Sequence, residues 1–210
     1  MIPTFNTASG SSAKERLMSR SPFTQRLRGA VALGFLLLAP TGLVAVQAAE
    51  APVQAEKNPP GDIPDSQVFI VYTGAGFSMK VPEGWSRQDE ANGARFFDKY
   101  NLIEATIADA KSNPTIASAT ANEAKQLTTS GRAVEITGVK EASLTGGKAI
   151  RIDYAENSEP NAVTNKQIRL ERVRFLLFKA GKLVTLDMAA PLGADNVDQW
   201  ALMANSLQLR

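Results

Sequence analysis

The chain has 210 residues, 44% of them hydrophobic, with 23 Lys and Arg against 21 Asp and Glu and a formal net charge of +2. It contains no cysteine and no histidine, so zinc sites built on those ligands, thiol nucleophiles, a haem axial histidine and the Ser-His-Asp arrangement each lack a required part. Carboxylates, lysines, hydroxyls and tyrosines are what remains for catalysis, and no paired constellation of them stands out along the chain, so no enzyme and no cofactor is expected.

The first element is apolar. Residues 30–46, AVALGFLLLAPTGLVAV, follow Arg20, Arg26 and Arg28 and precede Ala48 and Ala49, which is the layout of a secretory signal. Pro40, Thr41 and Gly42 interrupt the run, and the small side chains of Val46 and Ala48 suit cleavage after Ala48. The alternative is an uncleaved anchor over residues 30–46, since about 20 apolar residues cross a bilayer. Met18 is an alternative start that leaves the same mature chain. No cysteine follows the apolar run, so lipid attachment has no acceptor there. Removing residues 1–48 takes away five basic residues and one acidic residue, leaving 162 residues with 18 basic, 20 acidic and a net charge of −2. The basic character of the precursor thus belongs to the leader, and nucleic-acid binding loses its electrostatic support. An extracytoplasmic place, periplasmic or secreted, with no stable span after cleavage, is the expectation.

Residues 50–66, EAPVQAEKNPPGDIPDS, are rich in Pro, Ala and charge without a sustained apolar period, and read as a flexible tether. A single domain is expected over residues 67–210, large enough for its own core. Val68 to Tyr72 reads as a strand. Gly74-Ala75-Gly76 turns the chain into a second strand with Phe77, Met79 and Val81 on its buried phase. Pro82-Glu83-Gly84 ends that strand in a turn, and Trp85 folds over the core. Strands follow at Arg95-Phe96-Phe97 and at residues 102–108, where Ile103, Ala105 and Ile107 share a face. Asn113 and Pro114 read as the cap and first position of a helix over residues 115–130, stopped by Gly131 and lying on the sheet. Residues 134–144 and 148–154 form a hairpin around Gly146-Gly147, the second strand burying Ile150, Ile152 and Tyr154. The long strand 167–178 changes its apolar phase near Glu171-Arg172, which predicts a bulge there. Ala180-Gly181 turns into a strand burying Val184, Leu186 and Met188. A last helix, capped by Asp195 or Asn196, carries Val197, Trp200, Ala201 and Ala204. The class expected is α+β, with a largely antiparallel sheet of about six to eight strands flanked by helices.

Few residues invite a functional reading. Gly74-x-Gly76 lacks the third glycine of a dinucleotide loop and precedes a strand, so it reads as a turn. Leu144 to Lys148 echoes a phosphate loop but has Ala149 in place of the magnesium-binding hydroxyl, and reads as the hairpin. Asp195, Asn196 and Asp198 are read as capping rather than calcium ligands, and Asp62 and Asp65 fall in the tether. Trp85 and Trp200 are read as packing, with ring stacking on a ligand as the alternative. Arg169, Glu171, Arg172 and Arg174 form the densest charge cluster of the mature chain. They present either cations to a partner's carboxylates or a solvated strand face with cross-strand ion pairs to Asp153 and Asp187.

The string Gly76-Phe77-Ser78-Met79-Lys80-Val81-Pro82-Glu83-Gly84-Trp85 resembles the opening strand-turn of the PsbP and Mog1-like superfamily. Three further pieces follow in order: residues 147–154, then Phe178 to Lys182 leading to Ala190-Pro191, then a terminal helix ending Asn205-Ser206-Leu207. The resemblance implies an α/β/α sandwich and a non-enzymatic role of the kind held by accessory subunits of photosystem II, a partner of the GTPase Ran, and exported bacterial proteins of unassigned role. The metal-associated histidines of the photosystem branch have no counterpart here, and no functional residue is carried over. The expected function is that of an exported accessory protein of the cell envelope. It would dock on an envelope or secreted protein through a sheet face or rim. The alternative is a carrier of a small apolar ligand in a pocket between sheet and helix.

Overall fold

The computed structural model describes residues 50–210 other than Ala75; the signal, its cleavage after Ala48 and the alternative anchor at 30–46 lie outside the described residues. Ten strands are present among the described residues: β1 (Phe69–Gly74), β2 (Phe77–Pro82), β3 (Ser86–Glu90), β4 (Gly93–Asp98), β5 (Asn101–Asp109), β6 (Glu135–Leu144), β7 (Gly147–Asn157), β8 (Arg169–Lys179), β9 (Lys182–Pro191) and β10 (Gln208–Leu209). Seven form one antiparallel sheet in the order β3-β4-β5-β9-β8-β7-β6, and β1-β2-β10 form a second. Two short helical pieces, α1 (Ile116–Ala119) and α2 (Lys125–Ser130), are joined by a π-helical turn over Thr120–Ala124, and α3 (Val197–Ser206) precedes β10. The α+β class and the antiparallel sheet expected from the strand pattern are both present.

The large sheet buries both of its faces, and this decides how its sequence must be read. On one face Phe96, Ile103, Val173, Phe175, Leu186 and Met188 pack against Phe77, Met79 and Val81 of the small sheet and Met203 and Leu207 of the α3 region. On the other, Ile150, Ile152, Tyr154 and Leu176 pack under Ala119 and Leu127 of the helical segment. Strand β8 contributes Val173 and Phe175 to the first core and Leu176 to the second. The apparent change of phase near Glu171-Arg172 follows from this two-sided burial. No bulge occurs there, because β8 keeps continuous register with both β7 and β9. The register shift lies in β6, between Ile136 and Gly138.

Smaller departures have local causes. Strand β3 carries no apolar residue and is exposed throughout; it pairs on one side only, as the outermost strand, so no period-two signal marks it. The helix cap is Thr115 rather than Asn113, with the Thr115 and Ser118 side chains closing a reciprocal capping box. In the hairpin, Leu144 faces Gly147, so the two-residue loop is Thr145-Gly146, and Gly147 takes the positive φ of 138° at the start of β7.

Residues 50–66, expected as a tether outside the folded unit, run instead as a strap bonded to the domain. Ile63 is only 3% exposed and belongs to the main core. Its N–H donates to Asn196 Oδ1 at 2.6 Å, and the Gly61 carbonyl accepts from Asn196 at 3.0 Å and from Asn101 at 2.9 Å. Gly61 has φ +118°, and a Cβ there would stand 2.8 Å from Pro191, so close approach and backbone conformation both require glycine. At the other end Glu50 accepts from Asn157 and Gln167 and pairs with Arg132 at 3.0 Å; these hydrogen bonds, led by Asn157, hold its carboxyl below the usual range. A strap secured by single apolar and amide contacts shows no periodicity, which is why composition alone reads it as loose. Ile63→Ala is expected to lower stability by about 2–5 kcal/mol, the cost of emptying a buried aliphatic site; a shift of the urea midpoint measures it, and an unchanged midpoint would mean that the strap is not part of the fold.

Candidate functional site

Strand pleat decides which of the clustered charges can act together. Side chains alternate between faces, so Arg172 and Arg174 lie on the face of Leu176, while Arg169 and Glu171 lie on the face of Val173 and Phe175. The four residues singled out as one surface are therefore not one surface.

Arg172 and Arg174 are absorbed by Asp187 of β9, which is 2% exposed. Asp187 lies opposite Arg174 in register. Its carboxylate receives Arg174 Nε at 2.6 Å, Arg172 at 2.6 Å and the Tyr154 hydroxyl at 2.8 Å. Arg172 also pairs with Glu156, and its guanidinium stands 5.6 Å from the centre of the Tyr154 ring. Burial pulls both guanidinium groups toward deprotonation, but Asp187 and their other partners together, Glu156 among them for Arg172, outweigh it and hold them above their usual range. Burial, then the charge of Asp187, pushes the Tyr154 hydroxyl up. Arg169 is likewise spent internally, on Glu135 at 2.8 Å, the Ala133 carbonyl at 2.7 Å and Asn157 at 3.1 Å. The expected partner-facing cations are thus internal counter-ions. The cross-strand pairing to Asp187 is present, though buried rather than solvated, whereas Asp153 is held by Lys140 and Arg151 instead.

Glu171 has a different setting. It lines a groove of about 410 Å³ between α3 and the exposed end of the β6-β7-β8 face, with Val173, Phe175, Ala142, Trp200 and Ala201 supplying apolar wall. Asp153 also lines it, clamped by Lys140 at 3.0 Å and Arg151 at 2.6 Å. Arg151 in turn stands 5.7 Å from the centre of the Phe175 ring. The groove wall nearest α3 is the loop 192–196, and the strap fixes it: Asp195 N–H donates to Asp62 at 2.9 Å, and the Asn196 side chain is engaged by Ile63 and Gly61. Asn196 therefore stands at the helix cap without capping, its side chain making no bond to the α3 N–H groups. Burial raises the Glu171 carboxyl above its ordinary range, partly offset by the Gly193 N–H.

Of the remaining motifs, Gly74 ends β1 and Gly76, at φ +84°, precedes β2, and Leu144 to Lys148 is the hairpin. Trp85 packs half-buried on the main core. Trp200 both packs there and lines the groove. Among the described residues no group of three or more carboxylates gathers as a metal site, and no helix is long and apolar enough to cross a membrane. The sequence offers a pocket between sheet and helix only as the alternative and with no residue named for it, although the alternation along β8 already placed Glu171 beside Val173 and Phe175 and away from Arg172 and Arg174.

No protein-family model matches the chain, and no curated protein matches it. Among solved structures it is similar to a cyanobacterial PsbP from Synechocystis sp. PCC 6803, at 16% identity and a TM-score of 0.46, over 71% of this chain and 98% of that one. It is also similar to a Bacteroides thetaiotaomicron protein, at 13% identity and a TM-score of 0.44, over 68% of this chain and 48% of that one. A Pseudomonas aeruginosa protein of unknown function matches at 9% identity and a TM-score of 0.37, over 63% of this chain and 90% of that one.

Two outcomes follow from the electrostatics. Asp187→Asn leaves Arg174 without its counter-ion in a closed site and is expected to cost about 3–5 kcal/mol, read as a lowered urea midpoint; a change under about 0.5 kcal/mol, the size of an ordinary surface substitution, would show the cluster to be solvated. For Glu171, the folded chain binds the proton more tightly than the unfolded one. Stability therefore falls as pH rises from the ordinary carboxylate range, near 4.5, through the higher folded value. Glu171→Gln removes that loss, so the variant is expected to exceed the parent in stability at pH 7. Thermal melts across pH should show the gap closing below 4.5.

Proposed function

We propose that the chain is an exported binding protein that carries a small, largely apolar ligand in the groove between α3 and the large sheet. One observation carries this reading: the groove of about 410 Å³, with buried Val173 and Phe175 in its wall and Trp200 beside them. That volume falls within the usual range for small-molecule sites, roughly 300–1,000 Å³. Binding is favoured over catalysis because Asp153 is held by two cations, which leaves Glu171 without a free acid or base to work with. Export rests on the basic-then-apolar pattern before Ala48.

Native mass spectrometry of the full chain, purified gently from its extracytoplasmic fraction, is the test. A small-mass adduct is expected on the parent protein and is expected to be lost in Ala201→Trp, which fills the groove from an exposed position on α3. A parent protein free of any adduct, with melting unchanged by extracts of the same compartment, would overturn the reading.

A second reading, docking on an envelope or secreted protein, is favoured by β1. This strand is an outer strand of the small sheet, and Val68, Ile70 and Val71 at or beside it are 56%, 47% and 65% exposed. An edge with unpaired backbone groups and exposed β-branched side chains is a template for an added strand. In-cell cross-linking separates the two readings: a single reproducible neighbour abolished by Val71→Lys supports docking, and cross-links insensitive to that substitution oppose it.

A further inference from the structure

Five charged residues line the groove: Lys140, Arg151, Asp153, Glu171 and Arg172. Four of them are already paired. Lys140 and Arg151 share Asp153 at 3.0 and 2.6 Å, and Arg172 is turned to Glu156 and Asp187 on the far side of the sheet. Among the described residues no cation stands within ion-pair distance of Glu171, which lies half-buried among apolar neighbours. Among the described residues the compensation beside it is the Gly193 N–H.

We propose that Glu171 is the counter-ion for a small organic cation, a primary amine carrying an apolar or aromatic body. The inference rests on the groove being the ligand site. An ammonium at Glu171 forms a charge-assisted hydrogen bond in a partly water-excluded place, where such bonds are shorter and stronger than neutral ones. The body then lies along Val173 and Phe175, with Trp200 of α3 as the facing wall and the small Ala201 leaving room beside it. An anionic ligand meets the opposite situation. To bind Lys140 or Arg151 it must compete with Asp153, and success would leave that carboxylate short of a partner. A neutral ligand leaves Glu171 unpaired and desolvates it further. The charge pattern of the wall therefore selects for sign, while the apolar wall selects for shape.

The test uses three probes of one shape: phenethylamine, phenethyl alcohol and 3-phenylpropionate, titrated into the domain and followed by backbone amide shifts at Gly193 and the Trp200 indole signal. Phenethylamine is expected to bind about tenfold more tightly than the alcohol, the scale of a hydrogen bond to a charged group, and 3-phenylpropionate more weakly than either. In Glu171→Gln, which keeps shape and hydrogen bonding, the amine's advantage over the alcohol is expected to vanish while the alcohol's affinity stays unchanged. Equal binding of amine and alcohol by the parent, a preference for the propionate, or an advantage that survives Glu171→Gln would each overturn the cation assignment and leave the groove a ligand site. Absence of shifts at Gly193 and Trp200 with all three probes would overturn the ligand-site reading as well.

Discussion

Asp187 is a carboxylate in the middle of a sheet, almost closed off from solvent, with Arg172, Arg174 and Tyr154 gathered around it. An ionised carboxylate in such a place is tolerable only when paired and hydrogen-bonded on every side, and three adjacent strands supply the partners: Tyr154 from β7, the two arginines from β8, and Asp187 itself from β9. The cluster ties these strands into one register. A slip of one residue in β8 would carry both guanidinium groups to the opposite face, among Leu186 and Met188 of β9, and leave Asp187 unpaired. Apolar side chains tolerate small errors of pairing far better than this group does, so the most polar part of the sheet is also the part with least freedom.

The same cluster shapes the groove on the other face. Because the pleat sends Arg172 and Arg174 to Asp187, the carboxylate just before them in sequence, Glu171, is left alone on the α3 side. Had β8 contained a bulge at that point, one arginine would have turned with it and Glu171 would have had a partner in the strand. Its isolation is thus a result of regular geometry and needs no local distortion. The strap completes the arrangement from outside: through Asp62, Gly61 and Ile63 it holds the loop that brings the Gly193 N–H beside Glu171. A segment with no apolar period therefore sets one wall of the candidate site.

Much of the fold was legible from alternation and turns. Phe77, Met79 and Val81, then Ile103 and Ala105, then Val184, Leu186 and Met188, each sit on the buried phase that period two assigns them. Three kinds of feature escaped. Strand β3 has no apolar phase to detect. The strap is fixed by amide hydrogen bonds from Asn101, Asn157 and Asn196, residues up to 135 positions away, and no local pattern encodes contacts of that range. The charge cluster was visible as composition, but its meaning depended on which face each member took and on Asp187 arriving from the next strand. The alternation could have separated Glu171 from its neighbours; the burial of Asp187 could not be read without the sheet order.

These features also explain why the arginines are held from a docking role while the carboxylate beside them in sequence is not. To meet a partner's carboxylates, Arg172 and Arg174 would have to leave Asp187, exposing neither a free cation nor a stable sheet, since the abandoned carboxylate would remain buried. Glu171 bears no such obligation. It can gain a counter-ion without any internal bond being broken, and the gain is larger because its surroundings are apolar on the side facing α3. Within this fold, the charge that contributes least to holding the sheet together is the one free to recognise something outside it.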